Sequence, residues 1–267
     1  ILVINRALLD MLGIDETKKN QLTHEDFLSH FVDKKAMEKY LAVRDTLVEP
    51  YVREYEVMRG DEHVFVLCHT KLITLANGDR VSLTSVMNIT ENKKFEQRLL
   101  VQSRMDALTK ICNRGYGEAQ IEKLLKAKKN GMFLLFDVDK FKHINDTYGH
   151  SIGDEVLIQV ADALKQTFEQ AGVCMRLGGD EFAVYAPEIT EQMQAETMIQ
   201  AFFERIRNIA IPQMEGDAIS VSLGAVLCAP DREHVFEKVY QRADATMYTC
   251  KKVIGNSYDF YIGRNPA

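Results

Sequence analysis

The chain has 267 residues, 46% of them hydrophobic and 27% charged, and a formal net charge of −6. This composition is typical of a globular protein with one large domain or two ordinary ones. The acidic balance argues against a nucleic-acid partner, and no apolar run approaches the roughly 20 residues that a membrane helix needs. The five cysteines lack C-x-x-C spacing, which favours a reducing, cytoplasmic location over a zinc or disulfide framework.

Residues 1–90 are predicted to form a small domain of short helices followed by an antiparallel sheet. "ILVIN" is strand-like, and "RALLDMLGI", "HEDFLSHF" and "KKAMEKYLAVRDTL" are helical in pattern. The period then changes to two in "YVREYEVM", "HVFVLCHTKLITLA" and "RVSLTSVMNIT", with Asn77-Gly78 as a hairpin turn between the last two. Because the chain opens at Ile1 rather than at a methionine, we expect a longer protein, whose upstream part could tether it to a membrane.

Residues 91–105 are predicted to form a stiff helical linker. The segment "TENKKFEQRLLVQSRM" is polar, contains no proline or glycine, and places Phe95 and Leu99 in one stripe. Thr90 is expected to be its N-cap. The stripe is too short to predict a sustained coiled coil.

Residues 106–267 alternate between strands and helices. After a first helix, the order β-α-α-β-β-α-β-α-β predicts a mainly antiparallel, ferredoxin-like or palm-like sheet with helices on one face, and "SYDFYIG" as a possible edge strand. The whole chain is therefore expected to have an α+β fold.

Acidic side chains follow two of the predicted strands. Asp137 and Asp139 come directly after the buried run "FLLF", and Asp180 follows two glycines at a hairpin tip in "RLGGDEFAVY". If these strands are neighbours, Asp137 and Asp180 converge and, with a backbone carbonyl, suit a hard cation such as Mg²⁺. The glycines would leave room for a phosphate. A Gly-Gly turn with solvated acids explains the hairpin about as well, although the second acidic cluster favours a site.

Basic residues that would accompany a phosphate lie nearby in the sequence. Lys140 and Lys142 follow the aspartates, and Lys251 and Lys252 close the last predicted helix. Each lysine alone is better explained as a surface charge than as a ligand, and the last two are also explained as cations that stabilise a helix C-terminus.

Asn145 and Asp154 flank a glycine-containing turn. An amide and a carboxylate together can bind the edge of a guanine base. The alternative is helix capping, with Ser151 as the N-cap and Asp154 three residues later, and the residues alone favour this alternative for Asp154.

Four segments resemble the GGDEF family of diguanylate cyclases, which act in bacterial signal transduction. They are "DALTKICNR", "FDVDKFKHINDTYGHSIGDEVL", "RLGGDEF" and "ADATMYTCKK", in the family's order and spacing over about residues 106–262. The resemblance implies that two domains, each holding one GTP, face each other in a homodimer and condense the two GTP molecules into cyclic di-GMP with release of two pyrophosphates.

The resemblance also implies roles for individual residues. Asp137 and Asp180 would bind Mg²⁺, or Mn²⁺ as a substitute, together with the Val138 carbonyl. Glu181 would assist metal binding or activation of the 3′-hydroxyl. Asn145 and Asp154 would bind guanine, with Asp154 selecting GTP over ATP. The phosphates would be bound by Lys140, Phe141, Lys142, Gly178, Gly179 and Lys251.

Two positions depart from the family pattern. The R-x-x-D product-inhibition motif is replaced by Glu169 and Gly172, so we expect no feedback inhibition through that site. An arginine that often follows the late-helix lysine is replaced by Gly255, which predicts weaker phosphate binding unless Lys252 compensates.

Residues 1–90 resemble a PAS sensor domain. The similarity lies in "NRALLDMLGI", the Asn77-Gly78 hairpin and the junction "VMNITENKKFEQRLL", and it identifies no PAS ligand. It implies that the linker transmits dimer geometry from the sensor to a regulated cyclase.

Two functions of other classes compete with an active cyclase. One is a degenerate domain that only binds GTP or cyclic di-GMP, and the other is a PAS-mediated dimerisation protein. The intact GGDEF sequence with Asp137 argues against degeneracy, the missing R-x-x-D motif argues against product sensing, and pure dimerisation leaves the acidic cluster without a purpose.

Overall fold

The computed structural model describes residues 5–43, 46, 49–214, 216–228 and 235–263. The chain divides into two compact units, Ile1–Leu99 and Leu100–Ala267, which we describe separately. Within the described ranges, no helix is both long enough and apolar enough to cross a bilayer.

The described part of the first unit contains three short α-helices, a 3-10 helix at Glu16–Gln21 and one antiparallel sheet. Its helices are α1 (Arg6–Leu12), α2 (His24–Ser29) and α3 (Lys34–Val43), and its strands are β1 (Tyr51–Arg59), β2 (Glu62–Thr74) and β3 (Arg80–Asn88), paired in the order β1-β2-β3. The predicted helices and strands are confirmed, and Asn77 and Gly78 form the turn between β2 and β3. Most of "ILVIN" lies outside the described residues, and the assignment to the PAS class stays a prediction.

Alternation of side chains along β2 creates the core of this unit. Val64, Val66 and Cys68 point to the buried face, where they pack with residues of α1, α3 and β1. The period of two in the sequence therefore has its usual cause, which is burial of one face of a sheet.

Helix α4 (Thr90–Arg104) follows β3 directly, as predicted for the linker. The prediction that Thr90 is its N-cap is wrong. The Thr90 hydroxyl accepts a hydrogen bond from the Phe65 amide of β2 at 2.9 Å, and the first helical bond runs from Lys93 N to Ile89 O. Thr90 thus ties the start of the helix to the sheet.

The second unit has a six-stranded sheet. Its strands are β4 (Cys112–Asn113), β5 (Gly131–Val138), β6 (Val173–Gly178), β7 (Glu181–Pro187), β8 (Val221–Cys228) and β9 (Ser257–Phe260), in the order β4-β6-β7-β5-β8-β9. The four central strands are antiparallel, while β4 and β9 pair in parallel at the edges. The predicted α+β fold with a mainly antiparallel, ferredoxin-like sheet is confirmed, including the edge strand β9.

Helices cover both faces of this sheet, so the expectation of helices on one face is wrong. The helices are α5 (Arg114–Lys126), α6 (Phe141–Tyr148), α7 (His150–Phe168), α8 (Gln192–Arg207) and α9 (Phe236–Cys250). One core contains residues of α7 and α8, and the other contains residues of α5 and α9. Every residue of β5 is buried because this central strand packs on both sides, as its continuous apolar sequence requires.

Candidate active site

Asp137 lies at the carboxyl end of the central strand β5 and is only 6% exposed. Its neighbour in the ladder is Glu181 on β7, and its neighbour on the other side is Ser222 on β8. Asp137 Oδ1 has no hydrogen-bond partner among the described residues, although it is buried. A buried carboxylate oxygen without a donor is costly, which makes this atom a candidate ligand for a cation.

The hairpin between β6 and β7 brings a second acid, Asp180, close to the carboxyl end of β5. Gly178 and Gly179 have φ angles of 145° and 56°, and the ladder shifts register between Arg176 and Gly178. A Cβ atom on either glycine would meet nothing within 4 Å, so open space lies beside both. The turn brings the Asp180 carbonyl to Val138, whose amide donates to it at 3.2 Å. The glycines thus provide both the backbone conformation and the room that the sequence predicts.

The Arg176 side chain holds the tip of this hairpin through hydrogen bonds to its backbone. Its Nε and Nη2 donate to the Gly179 carbonyl at 3.1 and 2.7 Å, and its Nη1 donates to Asp106 Oδ1 at 3.0 Å. Asp106 also accepts from the amide and hydroxyl of Thr109. Partial burial raises the pKa of Asp106, but the bonds from Thr109 and Arg176 outweigh this and lower it overall. The sequence segments that contain Asp106 and Arg176 do not by themselves predict this contact.

The turn after β5 leads into a helix whose first amides are unpaired within the helix. Lys140 has a φ of 53°, an uncommon conformation for a residue with a side chain, and no side chain caps α6. The first intrahelical bond runs from Ile144 N to Lys140 O, which leaves the amides of Phe141, Lys142 and the next residue directed out of the helix start. A helix N-terminus of this kind attracts anions.

Asp139, beside this turn, is held by two serines. Ser220 Oγ and Ser222 Oγ donate to its two carboxylate oxygens at 2.6 and 2.7 Å. Both carboxylate oxygens of Asp139 therefore already have partners, which favours a structural role for this residue.

Lys251 reaches the site from the end of α9. The helix packs tightly on β8 because Gly224 has no side chain: a Cβ there would lie 2.0 Å from the Ala243 carbonyl. The Lys251 ammonium forms an ion pair with Asp137 Oδ2. Lys252 instead lies with its Nζ 5.9 Å from the centroid of the Tyr248 ring.

Burial and neighbouring charges shift the pKa values of Asp137, Glu181 and Lys251. Burial raises the pKa of Asp137, and Asp180 and Asp139 raise it further against the opposing effect of Lys251. Burial also raises the pKa of Glu181, with Asp180 and Asp137 adding to the effect. Burial lowers the pKa of Lys251, but pairing with Asp137 outweighs it and the net shift is upward. Crowded carboxylates of this kind are typical of functional sites.

Asn145 and Asp154 lie on successive helices, α6 and α7. A Cβ on Gly153 would lie 1.9 Å from Asn145 Oδ1, so the Asn145 amide packs directly on the Gly153 backbone. Gly149 precedes α7 and no side chain caps that helix, so the capping interpretation, with Ser151 as the N-cap, is wrong. Asp154 is exposed, and its side chain does not cap α7. Gly153 is a further residue that the sequence analysis did not identify.

A cleft of about 730 Å³ opens at the carboxyl end of the central strand β5. Of the predicted site residues, its lining includes Asp137, Val138, Lys140, Phe141, Lys142, Asp180 and Lys251. The other five, Asn145, Asp154, Gly178, Gly179 and Glu181, lie outside its lining. Tyr148 and Asp217, joined by a 2.7 Å hydrogen bond, form part of the wall and were not predicted. The described residues contain no group of three His, Cys, Asp or Glu side chains arranged to hold a metal.

The two departures from the family pattern have different surroundings. A Cβ on Gly172 would lie 1.9 Å from the Tyr185 carbonyl, so the strand pairing leaves no room for a side chain there. Gly255 has a φ of 86° and open space around it, and it lines the cleft.

The chain is similar in sequence to curated diguanylate cyclases. It is 35% identical over 170 residues to diguanylate cyclase DosC of Escherichia coli K12, which is 59% of this chain and 35% of DosC. It is 32% identical over 182 residues to diguanylate cyclase DgcM of the same strain, which is 65% of this chain and 42% of DgcM. The chain thus spans less than half the length of either relative.

Solved structures share the fold of the second unit. The GGDEF domain of PA1120 (TpbB or YfiN) from Pseudomonas aeruginosa is 27% identical with a TM-score of 0.53, over 59% of this chain and 94% of that domain. The coiled coil and GGDEF domain of DgcB from Caulobacter crescentus, solved in complex with c-di-GMP, has a TM-score of 0.59 at 22% identity, over 64% of this chain and 93% of that one. Residues 103–257, more than half of the chain, match the family described as "Diguanylate cyclase, GGDEF domain". The chain therefore belongs to the GGDEF family.

Proposed function

We propose that the chain is a diguanylate cyclase that condenses two GTP molecules into cyclic di-GMP and releases two pyrophosphates. The observation that carries the proposal is that the cleft is lined by Asp137 and Asp180, acids from separate backbone segments, and by the residues at the uncapped start of α6. This combination of acids, helix amides and lysines is suited to a metal-bound polyphosphate.

The donor set fits a divalent cation, Mg²⁺ or Mn²⁺ in its place. Asp137 offers a buried oxygen without a hydrogen-bond donor among the described residues, and Asp180 and Val138, whose carbonyl would be the third ligand, line the same cleft. Oxygen donors of this kind suit Mg²⁺, which keeps part of its shell for substrate phosphates. When bound, the metal would supply neutralisation of charge on the reacting phosphate. Glu181, opposite Asp137 in the ladder, would assist this donor pair from outside the cleft lining, since the described residues contain no three acids already arranged around one metal.

The phosphates would lie between the α6 amides and the lysines. Lys140 forms the turn before the uncapped start of α6, where the amides of Phe141 and Lys142 have no partner within the helix, and Lys142 lines the same cleft. Lys251, which lines the same cleft, would contribute a further cation. Gly178 and Gly179, with open space beside them, let the nucleotide approach the hairpin backbone.

Asn145 and Asp154 would bind the guanine edge. Asp154 is exposed and does not cap α7, and the Gly153 backbone fixes the position of the Asn145 amide. A carboxylate accepts the two hydrogens that guanine presents and adenine does not, so we propose selectivity for GTP.

In the proposed reaction, the 3′-oxygen of one GTP attacks the α-phosphorus of the other. The new bond is the 3′-O–P bond, the bond broken is that to pyrophosphate, and the 3′-hydroxyl proton leaves with the help of Glu181. The raised pKa of Glu181 suits a proton acceptor. Two such steps close the ring. Because one cleft supplies one nucleotide, we propose that two chains face each other as a homodimer, and much of the rate would come from this positioning.

The remaining parts of the proposal concern regulation and location. We propose that residues 1–90 are a PAS-like sensor, that residues 91–105 are a signalling linker, and that residues 106–267 are the cyclase. The crowding at Gly172 supports the absence of an R-x-x-D inhibition site. All five cysteines are free thiols, which supports a cytoplasmic location with access to GTP.

The test is product analysis with the full chain. Purified protein is incubated with GTP and Mg²⁺, and the nucleotides are resolved by chromatography. We expect cyclic di-GMP and pyrophosphate from the wild type and from Asp162→Ala, an exposed acid of α7, and none from Asp180→Ala. Bound but unconverted GTP would support a binding module instead. Absence of both binding and turnover would leave dimerisation as the function.

A further inference from the structure

Lys251 is the cation that the structure sets against the carboxylate cluster, by which we mean Asp137, Asp180 and Glu181. Its Nζ pairs with Asp137 Oδ2, and its charge also acts on Asp180 and Glu181. Asp137 is nearly buried, and an unpaired charge there would be strongly unfavourable. Lys251 therefore stabilises the cluster whenever no other cation is present.

In the proposed function, Asp137 and Lys251 bind different partners and not each other. Asp137 would bind a divalent cation, while Lys251 would bind a phosphate. A divalent cation on Asp137 and an ammonium in contact with the same carboxylate would repel each other, and the repulsion is strong where water is scarce. The ion pair at Oδ2 therefore opposes binding of a metal at Asp137, although Oδ1 of the same carboxylate has no hydrogen-bond partner among the described residues.

We infer that Lys251 is a resident counter-ion that a divalent cation displaces from Asp137, and that the displaced ammonium then pairs with the nucleotide's phosphates. The inference rests on the proposed function and adds an exchange of partners to it. One residue would then balance the charge of the site in both its empty and its loaded state.

The geometry permits this exchange without movement of the backbone. Lys251 is the C-terminal cap of α9, and its side chain is 43% exposed. It lines the same cleft of about 730 Å³ as Lys142 and Phe141, where the phosphates are proposed to lie. Rotation about the bonds of a long, flexible side chain is sufficient to carry its ammonium from Asp137 into that space.

The exchange predicts that metal and nucleotide strengthen each other's binding. Nucleotide phosphates that attract Lys251 free Asp137 for the metal, and the metal frees Lys251 for the phosphates. Such coupling is reciprocal and typically amounts to about 5-fold to 150-fold in affinity. Removing the ammonium should tighten binding of the metal alone and reduce the coupling.

The experiment measures Mn²⁺ binding to the full chain without nucleotide, from the loss of the free-ion EPR signal. We expect Lys251→Gln and Lys251→Met to bind Mn²⁺ at least about tenfold more tightly than the wild type. Lys251→Arg, which keeps the charge, should stay within about twofold of the wild type. Lys252→Gln is the matched control, because it removes an equal charge from the same cleft without touching the ion pair, and it should also stay within about twofold.

Asp137→Asn separates failure of the inference from failure of the proposed function. If Asp137→Asn loses Mn²⁺ while Lys251→Gln and Lys251→Met bind it no better than the wild type, the exchange is wrong and the proposed metal site stands. If Asp137→Asn binds Mn²⁺ as the wild type does, the metal site is wrong and the exchange is overturned with it. Thermal unfolding of each variant shows whether it is folded under the assay conditions.

Discussion

Asp137 on β5 and Glu181 on β7 are directly opposed in the antiparallel ladder, so two carboxylates form one cross-strand pair at one end of two central strands. Burial raises the pKa of both groups, and the charge of Asp137 raises the pKa of Glu181 further. Like charges in this position destabilise a sheet. An arrangement that is unfavourable in the free protein is expected where a cation binds.

Glu181→Gln should therefore stabilise the metal-free chain while it removes activity. Loss of one charge of the opposed pair is expected to raise the free energy of unfolding by about 0.5–1 kcal/mol at neutral pH. Urea unfolding in the presence of EDTA measures this, and Glu204→Gln, at an exposed position of α8, is the control. Destabilisation by Glu181→Gln would show that the opposed carboxylates are not in conflict.

The same pair predicts a pH dependence with a definite sign. The ordinary pKa values of Asp137 and Glu181 are 3.8 and 4.5, and both are raised in the folded chain. As pH rises above the ordinary values, the unfolded chain releases these protons first, so the free energy of unfolding falls until the raised values are passed. The advantage of Glu181→Gln over the wild type should be absent at about pH 3.5 and full at neutral pH. A constant difference across this range contradicts the assignment.

Gly153→Ala should weaken GTP binding more than it slows turnover. The new Cβ would lie 1.9 Å from Asn145 Oδ1 and force the amide away from the position where we propose that it binds guanine. Loss of one or two hydrogen bonds predicts a rise in KM of about tenfold, with a smaller change in kcat. Ser151→Ala, two residues earlier on α7, is the control, since Ser151 does not cap that helix. An unchanged KM for Gly153→Ala would contradict the proposal that Asn145 binds the guanine base.

Arg176 and Asp106 should act as one unit. Arg176 holds the Gly179 carbonyl through two hydrogen bonds and is itself paired with Asp106. Displacement of the hairpin by Arg176→Ala is expected to reduce kcat by about 10-fold to 100-fold, because small errors in positioning are costly. Adding Asp106→Asn to Arg176→Ala should cause little further loss. Independent, additive effects would show that the two residues do not share one task.

Rebuilding the R-x-x-D motif should not create product inhibition. In Gly172→Asp, the Cβ would meet the Tyr185 carbonyl at 1.9 Å, which forces apart two paired strands and is expected to cost about 2 kcal/mol or more. Glu169→Arg alone, at the exposed end of α7, should be tolerated. Cyclic di-GMP titrated into the double variant during turnover tests this, and strong inhibition in a stable double variant would refute the steric argument.

Much of the fold was predictable because local patterns reflect burial. The alternation in β2 and the continuous apolar run of β5 correspond to a sheet covered on one side and a strand covered on both. Two errors came from tertiary contacts. Thr90 binds the β2 backbone instead of capping α4, and helices cover both faces of the second sheet because α5 and α9 pack behind it. Such long-range partners leave no local signal.

The site was predictable where chemistry is carried by the residue type. Acids, glycines and lysines near Asp137 and Asp180 were identified from the sequence, and several of them line one cleft. The sequence did not reveal residues that act through geometry. The contact of Gly153 with Asn145 and the Arg176–Asp106 pair depend on backbone segments meeting in space. Asp106 and Arg176 begin the segments "DALT" and "RLGGDEF", but only the fold shows that the two side chains form a pair.

The central claim is that acids from two separate segments hold a divalent cation and, through it, the phosphates of a guanine nucleotide. The most direct measurement is anomalous X-ray diffraction from the chain crystallised with Mn²⁺ and a non-hydrolysable GTP analogue. We predict an anomalous peak within about 2–2.5 Å of carboxylate oxygens of both Asp137 and Asp180, in contact with phosphate oxygens. A nucleotide bound with its phosphates away from both aspartates, or a peak that neither aspartate contacts, would contradict the account.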